Sequence, residues 1–314
     1  MKPSQGSFAS TATGETVWLG FTEWGERRAD RVAICVHGLT RQGRDFDQLA
    51  QALLADYRVI CPDVAGRGRS GWLSHKEDYH YGTYLKHAKD LLTYRGLGAV
   101  DWIGTSMGGL IGMLLAAEDD SPIRRLVLND VGPFIPKQAL ERIGQYVGEE
   151  LVFPSLQAVD EHFRKIYASY GDLSDAEWSA MVLHSVERQP NHTYTLHLDP
   201  AIGDAFRKNP LQDIDMWSIW DKIECPVLVL RGEKSDVLLR ETAQEMTRRG
   251  PKAELVEIPD CGHAPSLMVE DQIAIVRDWL HSWVERDKAE LEAARARAEA
   301  EAAAASASEG GQGS

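Results

Sequence analysis

The feature that most constrains this chain is a repeated switch of hydrophobic period. Short β-branched and apolar runs at residues 31–37, 57–61, 99–103, 125–128, 226–230 and 253–258 are each bounded by turn residues. Between and after them, stretches at 45–55, 84–94, 107–117 and 273–284 carry apolar residues at helical spacing. A continuous apolar run suits a strand buried on both faces, and strands alternating with amphipathic helices make a mostly parallel sheet with helices on either side. The expected fold class is therefore α/β. Residues 16–21 and 22–25 are read as a leading hairpin.

One interval breaks the alternation. Residues 134–222 carry several helical patterns and no strong strand. Within them Ser174-Asp175-Ala176-Glu177 has the capping-box form, which opens a helix expected to run through Ser185. This interval is read as a helical cap, inserted before the penultimate core strand and lying over the carboxyl edge of the sheet. The expected organisation is core at 1–133, cap at 134–222, core again at 223–287, and an extension at 288–314. That extension is rich in Ala, Glu and Arg and almost free of large apolar residues after Leu291. It can be helical only as a solvated arm, ending in a disordered tail at 308–314.

The formal net charge of -14 repels phosphate backbones and anionic lipid heads, and no concentrated basic patch offsets it, so no nucleic-acid or membrane partner is expected. No apolar run is long enough to cross a bilayer, and residues 1–14 lack the charged start and apolar stretch of a secretory leader; a cytoplasmic protein is expected. Cys35, Cys61, Cys225 and Cys261 are scattered without a C-x-x-C pair and read as buried thiols. No cluster suggests a metal, and no cofactor is expected.

Chemistry enters at Gly104-Thr105-Ser106-Met107-Gly108, a G-x-S-x-G run between an apolar strand and a helix rich in Leu, Ile, Met and Ala. The pattern has a steric cause: a serine on so sharp a strand-to-helix turn leaves no room for side chains two before or two after it. A serine hydroxyl is barely ionised near neutral pH, so it needs a base, and the base needs an orienting carboxylate. His263, in Gly262-His263-Ala264-Pro265 after the last predicted strand, supplies the base. Asp236, after the 226–230 strand, is the expected orienting acid, preferred over Asp130 after the 125–128 strand. Backbone N–H groups of Leu39 and Met107 are the expected oxyanion donors.

Together, His37-Gly38 after one strand, D-x-x-G-x-G-x-S from Asp63 to Ser70 after the next, the elbow, and the late Asp and Gly-His resemble the α/β-hydrolase superfamily over residues 32–280. That resemblance implies a Ser106, Asp236 and His263 triad, a hole formed by Leu39 and Met107, and a structural brace at His37. Many relatives carry the acid where this chain has Ser235, one residue before Asp236. Gly66-Arg67-Gly68-Arg69-Ser70-Gly71 also matches a dinucleotide fingerprint, but residues 72–78 have no helical apolar face to follow it, and a turn is expected instead.

The expected activity is hydrolysis of a small carboxylic ester through an acyl-enzyme on Ser106. Serine at the elbow argues against dehalogenase and epoxide hydrolase chemistry, which use a carboxylate there. Thioesterase, lactonase and carbon–carbon hydrolase activities are alternatives on the same triad, although the loop His37-Gly38-Leu39-Thr40-Arg41 lacks the extra Gly and Pro of the carbon–carbon group. The chain is also broadly similar to bacterial hydrolases of hydroxybutyrate oligomers. A small-molecule receptor on the same fold is the rival from another class. Arg41, Trp178, Trp217 and Trp220 are candidate substrate-binding residues, Arg41 for a carboxylate unless Asp45 or Asp63 pairs with it, and the tryptophans for an acyl pocket unless they pack cap on core.

Overall fold

The computed structural model describes residues 2–208 and 210–310. Eight strands form one sheet: β1 (Ser4–Ser10), β2 (Val17–Trp24), β3 (Val32–Val36), β4 (Arg58–Pro62), β5 (Val100–Thr105), β6 (Ile123–Asn129), β7 (Val227–Gly232) and β8 (Glu254–Ile258). Their spatial order is β1-β2-β4-β3-β5-β6-β7-β8. The pairs β1/β2 and β2/β4 are antiparallel, and every pairing from β4 to β8 is parallel. The central strands β3 and β5 are buried almost throughout, as continuous apolar runs covered on both faces must be. Helices α1 (Asp47–Ala52), α2 (Tyr81–Arg95) and α3 (Met107–Ala116) follow β3, β4 and β5.

The leading hairpin differs from expectation. Residues 17–24 form one continuous strand, and its partner is β1, within a stretch too polar to show a strand period. Phe8 alone among the large side chains of β1 is buried; the remainder of the pairing is carried by backbone hydrogen bonds, which leave no sequence signal.

The insertion between β6 and β7 is also less uniform than a helical cap. It contains α4 (Lys137–Gly144), α5 (Leu156–Ile166) and α6 (Asp175–Ser185), and α6 opens on the expected Ser174/Glu177 capping box. It also holds a small antiparallel sheet of Val152–Phe153, Tyr194–Leu196 and Val186–Arg188. Strands this short do not establish an alternation that periodicity can detect. Several seats join the insertion to the carboxyl ends of core strands, among them those after β4, β3 and β8. The Gly68 N–H donates to the His197 carbonyl and the Asp199 N–H to the Gly66 carbonyl, after β4. Thr40 Oγ1 meets the Tyr167 hydroxyl, after β3. The Gly262 N–H donates to the Ser169 carbonyl, after β8.

Residues 1–273 form one compact unit and residues 274–314 a second. Within the second, helix continues the Glu270–Gly310 element, exposed along residues 288–299, with Trp279 and Trp283 edge to face and Arg286 over the Trp283 ring. Of the expected tail, 308–310 continue this helix and 311–314 lie outside the described residues. Among the described residues no helix is long and apolar enough to cross a membrane.

Candidate active site

The turn from β5 into α3 explains its own sequence. Ser106 has φ 51°, a left-handed conformation uncommon for a residue with a side chain. A Cβ on Gly104 would lie 2.3 Å from the backbone of Gly108, and one on Gly108 would lie 2.0 Å from the Val36 carbonyl oxygen. The two glycines of the elbow are thus required by backbone contacts, α3 against its own entry strand and against β3.

Ser106 Oγ is 2.9 Å from His263 Nε2. The other ring nitrogen, Nδ1, is 2.8 Å from Asp130 Oδ2. Asp130 is fully buried and His263 nearly so. The loop carrying His263 is held from several sides. Asn129 Nδ2 donates to the Pro265 carbonyl at 2.8 Å, the Leu267 N–H donates to Gln272 Oε1 at 2.8 Å, and Ser169 Oγ from the insertion donates to the His263 carbonyl.

Asp236 is not at this site. Its carboxylate is half exposed and meets the Arg142 guanidinium through two hydrogen bonds of 2.5 and 2.8 Å, joining the loop after β7 to helix α4. The carboxylate that faces His263 belongs to Asp130, immediately after β6. Both positions lie at carboxyl ends of neighbouring strands, so chain order could not separate them. The available signal was local: an Asn-Asp pair terminates an otherwise apolar strand, and Asp130 takes φ 56°, a conformation in which Asn and Asp are enriched.

The loop after β3 reaches the same place. The Arg41 N–H donates to the Gly38 carbonyl, closing a turn around Leu39 and Thr40. A Cβ on Gly38 would lie 3.7 Å from Ser106 Cβ, so this turn borders the serine directly. His37 braces it: Nδ1–H donates to the Gly38 carbonyl at 2.7 Å and Nε2 accepts from the Val64 N–H at 2.9 Å. Those two bonds fix one neutral tautomer, and burial pushes the pKa of His37 down to about 3. Met107 is the first residue of α3, where backbone N–H groups have no acceptor within the helix.

Arg67 was not singled out by sequence, yet it underlies this region. It is fully buried. Its Nε donates to the Leu39 carbonyl at 2.9 Å, Nη1 donates to the Ala65 carbonyl and the Tyr84 hydroxyl, and Nη2 is 3.6 Å from Met107 Sδ. The glycine-rich segment that carries it is a turn and not a nucleotide cradle. Asp63 accepts from the N–H groups of Gly43 and Arg69, and a Cβ on Gly68 would lie 2.5 Å from its carboxyl carbon. Burial, against those backbone bonds, pushes the pKa of Asp63 up to about 6.

The candidate substrate contacts fare unevenly. Arg41 lines a narrow cleft between this loop and the insertion, with Tyr146, His162, Phe163 and Leu196. Its guanidinium, however, is committed to Asp45 through bonds of 2.7 and 2.6 Å, between the rings of Phe163 and Tyr167. Trp178 is buried in the apolar cluster of α5 and α6, and Trp220 is fully buried with its indole N–H on the Arg249 carbonyl. Trp217 lies under the Arg249 guanidinium. These three tryptophans pack structure instead of lining the cleft.

The profile of the Alpha/beta hydrolase family matches residues 33–278. The chain belongs to that family. It is similar to the 3-hydroxybutyrate-oligomer hydrolase of Cupriavidus necator, 45% identical over 265 residues that cover 82% of this chain and 90% of the relative. Lipase LipV of Mycobacterium tuberculosis is 26% identical over 79% of this chain and 92% of its own length. Among solved structures, an alpha/beta hydrolase from Novosphingobium aromaticivorans superimposes with a TM-score of 0.80 at 33% identity, covering 89% of this chain and 98% of the other. The protein is a carboxylic ester hydrolase of this family.

Proposed function

We propose that the enzyme cleaves short hydroxyacyl esters, of which 3-hydroxybutyrate oligomers are the leading candidate, through an acyl-enzyme on Ser106 with His263 as base and Asp130 as orienting acid. The observation that carries this reading is the continuous relay of 2.9 and 2.8 Å from Ser106 Oγ through both nitrogens of His263 to Asp130. With Nδ1–H donating to the carboxylate, Nε2 is left unprotonated toward the hydroxyl, the tautomer that a base requires. As Ser106 Oγ bonds to the ester carbon, its proton passes to Nε2 and the carbonyl oxygen becomes an oxyanion facing the N–H groups of Leu39 and Met107. Collapse expels the alcohol, which takes the proton from Nε2. Water then repeats the sequence on the acyl-enzyme and releases the acid. The substrate class rests on the 45% identity to the Cupriavidus necator hydrolase over nearly its whole length.

The test is turnover of a panel of nitrophenyl and hydroxyacyl esters that includes 3-hydroxybutyrate dimers and trimers, by the wild type and Ser106→Ala. Loss of turnover in a variant that keeps its melting temperature, and fluorophosphonate labelling confined to Ser106, are expected. Undiminished turnover, or labelling at another serine, would refute the assignment. Fast turnover of simple acyl esters with none of the hydroxyacyl oligomers would refute the substrate class alone.

A further inference from the structure

Asp130 has no freedom to choose its partners, and the reason is a hydroxyl outside the triad. Ser235 Oγ accepts the backbone N–H groups of Val237 at 3.2 Å and Leu238 at 3.1 Å. Both acceptor positions of the hydroxyl are thereby occupied, so its single proton must go elsewhere, and the remaining neighbour is Asp130 Oδ2 at 2.5 Å. The Gly232 N–H donates to Asp130 Oδ1 at 2.7 Å. The two carboxylate oxygens are therefore pinned from the last residue of β7 and from the loop after it, and Oδ2 faces His263 Nδ1 as well. Ser235 is itself buried, so water cannot substitute for it without a rearrangement.

We propose that Ser235 is the positioning residue of the triad acid. It fixes the carboxylate against His263 by a charge-assisted bond, and its own seat takes a carboxylate in place of Asp130. The inference rests on the relay proposed above. Two effects follow from one bond. The hydroxyl holds the carboxylate plane that keeps Nδ1–H in line, so removing it loosens the base and lowers kcat more than it alters KM. It also stabilises the negative charge of Asp130 in competition with His263. Without it, the carboxylate attracts imidazolium more strongly, which the acid limb of the pH–rate profile reads. The second claim concerns space: Ser235 Oγ and His263 Nδ1 touch the same oxygen. An aspartate side chain at 235 can keep the two backbone N–H donors, as Asx turns replace Ser turns, and reach into the volume that a truncated residue 130 vacates.

The experiment uses the full-length enzyme with a nitrophenyl ester, measuring kcat, KM and the pH profile of kcat/KM. Ser235→Ala is expected to lower kcat roughly tenfold with KM within about twofold, and to move the acid limb of the profile upward by a few tenths of a pH unit; Ser235→Thr restores both. Asp130→Ala is expected to be nearly inactive, and Asp130→Ala/Ser235→Asp to recover at least about tenfold over it. A Ser235→Ala enzyme with an unmoved acid limb would overturn the positioning role, even if its kcat were reduced. A double variant that folds, by its circular dichroism, yet is no faster than Asp130→Ala would overturn the seat. Failure of the underlying relay would be seen separately, as full activity in Ser106→Ala or Asp130→Ala.

Discussion

Replacing Asp130 and Asp236 in parallel separates two carboxylates that chain order alone cannot. In Asp130→Asn the Gly232 N–H, a backbone donor that cannot reorient, holds the amide oxygen at the Oδ1 position, so the NH2 falls where a carboxylate oxygen now accepts from both Ser235 Oγ and His263 Nδ1. A donor facing two donors is untenable. The readiest escape is for His263 to change tautomer, with Nδ1 accepting from the amide and Nε2–H directed at Ser106. That form cannot remove the serine proton. Losses of roughly 10⁴ in kcat accompany this error in serine triads, about 5 kcal/mol of transition-state stabilisation at 1.36 kcal/mol per decade. In Asp236→Asn the loss is a half-exposed ion pair with Arg142. Solvent screening limits that pair to about 0.2–1 kcal/mol of stability, and kcat is expected to stay within about twofold. Steady-state kinetics on a nitrophenyl ester, with urea unfolding on the same preparations, measures both quantities. An Asp130→Asn enzyme with near-native kcat, or an Asp236→Asn enzyme slowed a hundredfold, would refute this account of the site.

Two further outcomes concern the core. His87 is buried with both ring nitrogens lacking a hydrogen-bond partner, and burial, against the attraction of Asp90, pushes its pKa down to about 4. The folded state then binds fewer protons than the unfolded one, whose histidine titrates near 6.5, so stability falls as pH drops from about 6.5 to 4. His87→Leu should remove this loss, a gain of about 2 kcal/mol at pH 5 beyond any gain at pH 8; equal effects at both values in urea titrations would contradict it. Gly68→Ala combines φ 53° with a Cβ 2.5 Å from the Asp63 carboxyl, and should cost about 2 kcal/mol or more in urea unfolding, whereas a neutral effect would show that the turn tolerates a side chain.

Much of this arrangement is legible in the sequence because it is imposed by local rules. The apolar runs mark β3 to β8, the glycines of the elbow are dictated by contacts of 2.0 and 2.3 Å, and the capping box marks the start of α6. Less legible is whatever depends on chain segments meeting across the sheet. Strand β1 is held by backbone pairing with β2, and the short strands of the insertion by pairing with one another. The choice between Asp130 and Asp236 turns on Arg142, 94 residues from Asp236, which captures the latter. For Arg41 the sequence offers a pairing with Asp45 or Asp63 beside a substrate contact, and the choice of Asp45, with the rings of Phe163 and Tyr167 closing around it, is made only in the folded chain. Arg67 looks like a turn residue until its guanidinium is followed to the Leu39 carbonyl.

That guanidinium ties two processes together. The turn bearing Arg67 is the turn on which His197 and Asp199 of the insertion are seated, and its side chain grips the peptide beyond the serine. A shift of that edge of the insertion would therefore be felt at the Leu39 carbonyl, in the turn that borders Ser106. A substitution on that rim can in this way reach the surroundings of Ser106 without touching anything the enzyme cleaves.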